Sequence, residues 1–172
     1  LIRIESTQSQ PAKKAEVIDV VADYFANYPV KIKKFNLGTP ALVITSQETL
    51  SPTIFYNGHV DVVEGKAELF EPKLEGDILQ GRGACDNKGQ VAMMMVLLKD
   101  LIAKDPKINF GLMITADEEV GGTAVSDLIN KENYRGNLAI VPDAGDDFGI
   151  VHANKGVLHL KITAMGKAAH GA

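Results

Sequence analysis

Apolar side chains recur along this chain with two different spacings. Over 11–25 they fall every three or four positions, at Val17, Val20, Val21, Tyr24 and Phe25. That is the period of a helix with one buried stripe. Ser9-Gln10-Pro11 reads as its start, a capping residue with Pro in the first turn, and Asn27-Tyr28-Pro29 as its stop. The runs 40–46 and 53–60 carry the β-branched residues of strands. From 61 to 83 the chain is irregular and rich in Gly, Glu and Pro, and a loop of that length in a compact domain is often functional. A helix over 87–104 sets Val91, Met94, Met95, Leu98, Leu101 and Ile102 on its inward face. A strand over 109–116, a helix over 123–132 and a short apolar strand over 138–142 follow. Strands alternating with helices predict a three-layer α/β/α domain, a mostly parallel twisted sheet covered on both faces.

The pattern changes at 157–165. Leu158, Leu160, Ile162 and Ala164 alternate with Val157, His159, Lys161 and Thr163, as in a half-exposed antiparallel strand. His159 falls on the polar face and reads as solvated. The chain is therefore divided into one domain over 1–155 and the first strand of a second over 156–172. So few residues cannot bury a core, so the sequence is expected to stop inside a larger protein. It opens on Leu1 rather than Met, so its natural start is expected upstream.

Composition narrows the chemistry. A length of 172 residues suffices for one domain with a real core. The net charge of −4, with no Lys/Arg cluster, argues against a nucleic-acid partner. No apolar run reaches membrane-spanning length, so no membrane partner is expected. The single cysteine, Cys85, excludes an internal disulfide and suits a cytoplasmic location. It reads as a small buried residue, since no histidine is placed by the sequence to activate it.

Side chains able to ligate a metal follow the expected strands at four places. Glu118 and Glu119 come after the apolar run 110–114 and precede Gly121 and Gly122. Open α/β sheets keep their sites at such strand ends. Adjacent carboxylates there repel each other unless a cation lies between them or their roles differ. His59 and Asp61 form a His-X-Asp pair, either a surface pair or an imidazole with its second nitrogen held by a carboxylate. Asp86 stands just before a helix, as an N-cap or as a bridge between two cations. Asp143 follows the strand at 138–142, as a turn residue or as a ligand. The Gly81-X-Gly83 pair permits a nucleotide-binding alternative, but no Gly-Lys-Ser/Thr ending supports it.

Taken together, Gly58-His59-Val60-Asp61, Gly81-Arg82-Gly83-Ala84-Cys85-Asp86-Asn87-Lys88-Gly89, Asp117-Glu118-Glu119-Val120-Gly121 and Asp143 resemble the two-zinc amidohydrolase and peptidase family. That family includes succinyl-diaminopimelate desuccinylase, acetylornithine deacetylase, aminoacylase and carboxypeptidase G. Leu1 to Ser6 resembles the family's opening, and Gly166-Lys167-Ala168-Ala169-His170 the start of its lid domain. The resemblance implies a zinc-peptidase-like fold and two Zn2+ ions, with Co2+ or Mn2+ as substitutes. It implies His59, Asp86 and Asp143 as ligands of the first ion, Asp86 as the bridge, and Glu119 on the second ion. Asp61 would orient His59, and Glu118 would be the general base and acid. His170 would reach a substrate-binding site. The peptide bond between Asp86 and Asn87 would be cis. The implied substrates are small peptides or N-acyl amino acids, and the implied assembly is a homodimer through the lid. The family's second zinc also takes a histidine from beyond the lid, which this sequence does not include. A non-catalytic metal-binding or interaction domain, or an inactive fragment, is the alternative expectation.

Overall fold

Helix α1 (Pro11–Tyr24) forms where the apolar stripe places it, with Pro11 in the first turn and Val17, Ile18, Val21 and Ala22 buried. Its N-cap is Gln10, whose side chain makes no capping bond. Ser9 turns away instead, donating from N and Oγ to the Glu64 carboxylate at 3.0 and 3.2 Å. These coordinates are a computed structural model. It describes residues 1–143, 149–151, 153, 156, 158, 160–163, 165 and 166.

Strands β1 (Lys31–Asn36), β2 (Pro40–Thr45) and β3 (Ile54–His59) come next. The irregular stretch after β3 holds a 3-10 turn at Ala67–Phe70 and a hairpin of β4 (Lys73–Glu75) and β5 (Ile78–Gln80). Helix α2 (Lys88–Lys104), strand β6 (Phe110–Thr115), helix α3 (Ala124–Asn130) and strand β7 (Leu138–Ile140) complete the domain. The main sheet has the order β1-β2-β6-β3-β7. β3 pairs in parallel with β6 and β7, while β2 is antiparallel to both β1 and β6. Four of the five strands therefore point the same way, and the sheet is mostly parallel.

Alternating residues of β2 explain the layers. Leu42 and Ile44 face one core with α1 and α2, joined by Leu112, Ile114, Val91, Met94 and Leu98. Ala41 and Val43 face the other core, with Phe55, Met113 and Leu128 of α3. All six residues of β6 are buried, as a strand covered on both faces requires. Met94 and Met95 fill the core as expected, whereas Met93 is 53% exposed. Cys85 is exposed, contrary to its expected burial, because it lies in the loop ahead of α2 rather than under it. The strand expected over 157–165 includes Val157, His159 and Ala164, which lie outside the described residues, as does the stretch 167–172 with His170.

Candidate metal centre

Three parallel strands end on one edge, and the candidate residues lie just beyond those ends. His59 closes β3 and stands in register with Thr115, the last residue of β6. Glu118 and Glu119 open a 3-10 turn that follows β6, ended by Gly121 in a left-handed conformation. Asp143 follows β7, and Asp86 enters from the loop ahead of α2. The Asp86–Asn87 peptide bond is cis.

His59 and Asp61 are buried, at 3% and 1% exposure, which removes the reading of a surface pair. The imidazole is held from both sides. Nδ1 lies 3.1 Å from the backbone oxygen of Asp61 and 3.4 Å from its Oδ1. Nε2 lies 2.9 Å from Asp86 Oδ1 and 3.8 Å from Glu118 Oε2. One ligand atom from each of His59, Asp86 and Asp143 falls within 4.8 Å of the others. Glu119 does not join that close group, although it stands near enough to Asp86 to feel its charge.

Asp61 has a second task that its spacing from His59 did not reveal. Its Oδ1 accepts the backbone N–H of Glu118 at 3.2 Å and its Oδ2 that of Glu119 at 3.1 Å. One buried carboxylate thus fixes both the imidazole and the turn carrying the two glutamates. Neighbouring Asp117 also lines the cleft beside His59, and its Oδ2 accepts the N–H of Ala124 at 3.0 Å, supporting the start of α3.

The charges are one-sided. Burial alone would lower the pKa of His59, but its hydrogen bond to Asp61 and the carboxylates of Asp61, Glu118 and Asp86 outweigh burial and push it up to about 9. Burial raises the carboxyl of Glu118, and Asp143, Asp61 and Asp86 raise it further against the pull of His59. Burial also raises Glu119, with repulsion from Asp86 next. In this arrangement a proton on His59 Nε2 would lie between the imidazole and the Asp86 carboxylate, where positive charge is needed. An imidazole nitrogen and several carboxylate oxygens suit a divalent cation that would replace that proton.

Two residues around the site stand in the 81–89 motif, yet the sequence assigns neither side chain a role. Asn87 reads there as the first residue of a helix; it is the N-cap of α2, but its side chain makes no capping bond and bridges strand ends instead. Lys88 is 1% exposed and donates from Nζ to the carbonyls of Ile4 at 2.6 Å and Leu1 at 3.3 Å. Burial lowers its pKa to about 8, against the attraction of Asp61. It ties the N-terminal segment behind the site, as does Ser6, which donates from Oγ to the Val60 carbonyl at 2.5 Å. A cleft of about 150 Å³ opens beside His59, lined by Asn57, Thr115, Glu118, Val125, Val141 and Asp143 among others.

Residues 55–164 match the family described as peptidase family M20/M25/M40, which is more than half of the chain. A probable carboxypeptidase of Aspergillus terreus is 32% identical over 129 residues, covering 73% of this chain and 30% of the relative. A succinyl-diaminopimelate desuccinylase of Coxiella burnetii is 31% identical over 136 residues, covering 70% of this chain and 36% of the relative. Human carnosine dipeptidase 1 shares the fold, with a TM-score of 0.67 at 21% identity over 83% of this chain and 36% of that one. The chain therefore spans about a third of the length of these proteins.

Proposed function

The chain belongs to peptidase family M20/M25/M40, and from that premise we propose that it carries most of the metal site of a hydrolase cleaving amide bonds in small peptides or N-acyl amino acids. The observation that supports this most is the convergence of His59 Nε2 on Asp86 Oδ1 at 2.9 Å, with Asp143 beside them, at the ends of parallel strands.

In this reading His59, Asp86 and Asp143 would hold a first zinc, with Asp86 and Glu119 available to a second; cobalt or manganese would suit the same donors. When bound, such ions lower the pKa of a water and polarise the scissile carbonyl. Asp61 keeps the imidazole turned so that Nε2 faces the ligand group, and its grip on the amides of Glu118 and Glu119 holds both glutamates at the rim. Glu118 is the general base. Its carboxylate takes the proton of the attacking water and returns it to the leaving amine. A cytoplasmic homodimer joined through a lid domain, with His170 reaching the substrate, belongs to the same proposal. Its support is the likeness of Gly166 to His170 to a lid opening.

The test uses the intact protein, with dipeptides and N-acyl amino acids as substrates. Glu118→Ala is expected to lower kcat by about 10²–10⁴-fold, the usual worth of a general base, with metal content near native. Glu119→Ala should instead reduce occupancy of the second ion. Near-native turnover in Glu118→Ala rejects the base assignment. Zinc binding without cleavage of either substrate class favours a metal-holding domain with no turnover. A protein that takes up no divalent metal rejects the reading entirely.

A further inference from the structure

We infer that Asn87 is a positioning residue, setting the carboxylate of Asp143 against the imidazole of His59. The inference rests on the metal reading above. β3 pairs with β7 only from Ile54 to Tyr56, where the partner is Ile140. Beyond that point Asn57, Gly58 and His59 keep their β6 partners, but the ladder toward β7 has stopped. The two strand ends that carry His59 and Asp143 therefore need another connection.

Asn87 supplies it. Its Oδ1 accepts the backbone N–H of His59 at 3.3 Å. Its Nδ2 donates to the carbonyl of Pro142 at 2.7 Å and to Asp143 Oδ1 at 3.3 Å. The amide thus stands in for the missing rung, accepting from one strand and donating to the other. It is 1% exposed, so these bonds form away from competing water. Room for it comes from Gly58. A Cβ at position 58 would lie 2.8 Å from Asn87 Oδ1 and 2.5 Å from Met94 Cε. An amide is required, because the site needs an acceptor toward His59 and donors toward Pro142 and Asp143 at once. A carboxylate of the same shape would offer the acceptor only and would face Pro142 and Asp143 with its own negative charge.

The experiment is a cobalt(II) titration of the intact protein, followed by visible absorption and by first-ion affinity. The variants are Asn87→Leu, of the same branched shape without the amide, and Asn87→Ser, a smaller side chain that keeps a good helix start. Both are expected to bind the first cobalt ion about 10- to 100-fold more weakly, as when an outer partner of a metal ligand is lost. Their visible bands should shift, because the ligand set is displaced. In an Asp143→Ala background, Asn87→Ser should add less than about twofold, since the partner it acts through is gone. A lowered thermal midpoint with wild-type band position and affinity would make Asn87 purely structural and overturn the inference alone. Equal losses in both backgrounds would overturn it too. A wild-type protein that binds no cobalt removes the metal reading, and this inference with it.

Discussion

The two halves of the sheet differ in what they do with charge. On the β1–β2 side, the strands are antiparallel and the lysines are matched one to one. Lys31 lies 3.7 Å from Glu48, Lys33 3.6 Å from Glu132 and Lys34 2.7 Å from Asp19, all at least partly exposed. Pairs of that kind contribute little and keep an edge strand soluble. On the β6-β3-β7 side the strands run in parallel and end together. There one buried imidazole faces Asp61, Asp86, Glu118 and Asp143, and the buried Lys88 spends its bonds on backbone carbonyls. The roomier hollow, about 430 Å³ along Lys31, Ile32, Val43, Leu50 and Tyr134, lies on the charge-balanced side. The candidate metal centre thus follows strand direction and unbalanced charge rather than the size of a cleft.

The sharpest way to break this contrast is the Glu118→Ala turnover measurement, because it asks for the largest effect. Next comes Asp61→Asn. The amide cannot accept both glutamate N–H groups and serve the imidazole as a carboxylate does, so metal affinity should fall about 10- to 100-fold, read by competition with a chelating dye. Retained affinity would show that His59 is aligned by its backbone alone.

A smaller effect separates the halves by pH. The folded, metal-free protein holds the proton on His59 up to about 9, against an ordinary value of 6.5. A raised folded pKa stabilises below 6.5, and that stabilisation is lost as pH rises through about 9. A bound metal displaces the proton, so the loaded protein lacks this loss. The gap between loaded and metal-free stability, from urea unfolding, should therefore widen between pH 6.5 and 9. A constant gap would mean that metal does not replace the His59 proton. The smallest effect is expected across the sheet. Lys33→Ala should change stability by no more than about 0.5 kcal/mol and leave metal affinity untouched. A loss of metal affinity there would tie the two halves together and dissolve the contrast.

Elements with a buried face were legible in the sequence. α1, α2, β2, β3 and β6 emerge from the apolar pattern, because one buried stripe imposes a helical period and burial on both faces a continuous apolar, β-branched run. β1 went unread because its residues are nearly all exposed and its lysines mask any alternation. The β4–β5 hairpin is exposed throughout, and its one local signal was the two-residue turn Gly76-Asp77, with Gly76 at φ +60°. Resemblance supplied the roles of the candidate residues, and the structure brought His59, Asp86 and Asp143 together while leaving Glu119 outside the close group.

Composition and spacing alone thus established layers, strand direction and a set of acidic residues placed after strands, since these follow from local burial and chain order. Which atoms meet depended on contacts between positions far apart in the chain: Asp61 reaching the amides of residues 118 and 119, and Asn87 joining residue 59 to residues 142 and 143. Neither contact leaves a periodic trace, because a hydrogen bond to a backbone group accepts any residue type at the far end.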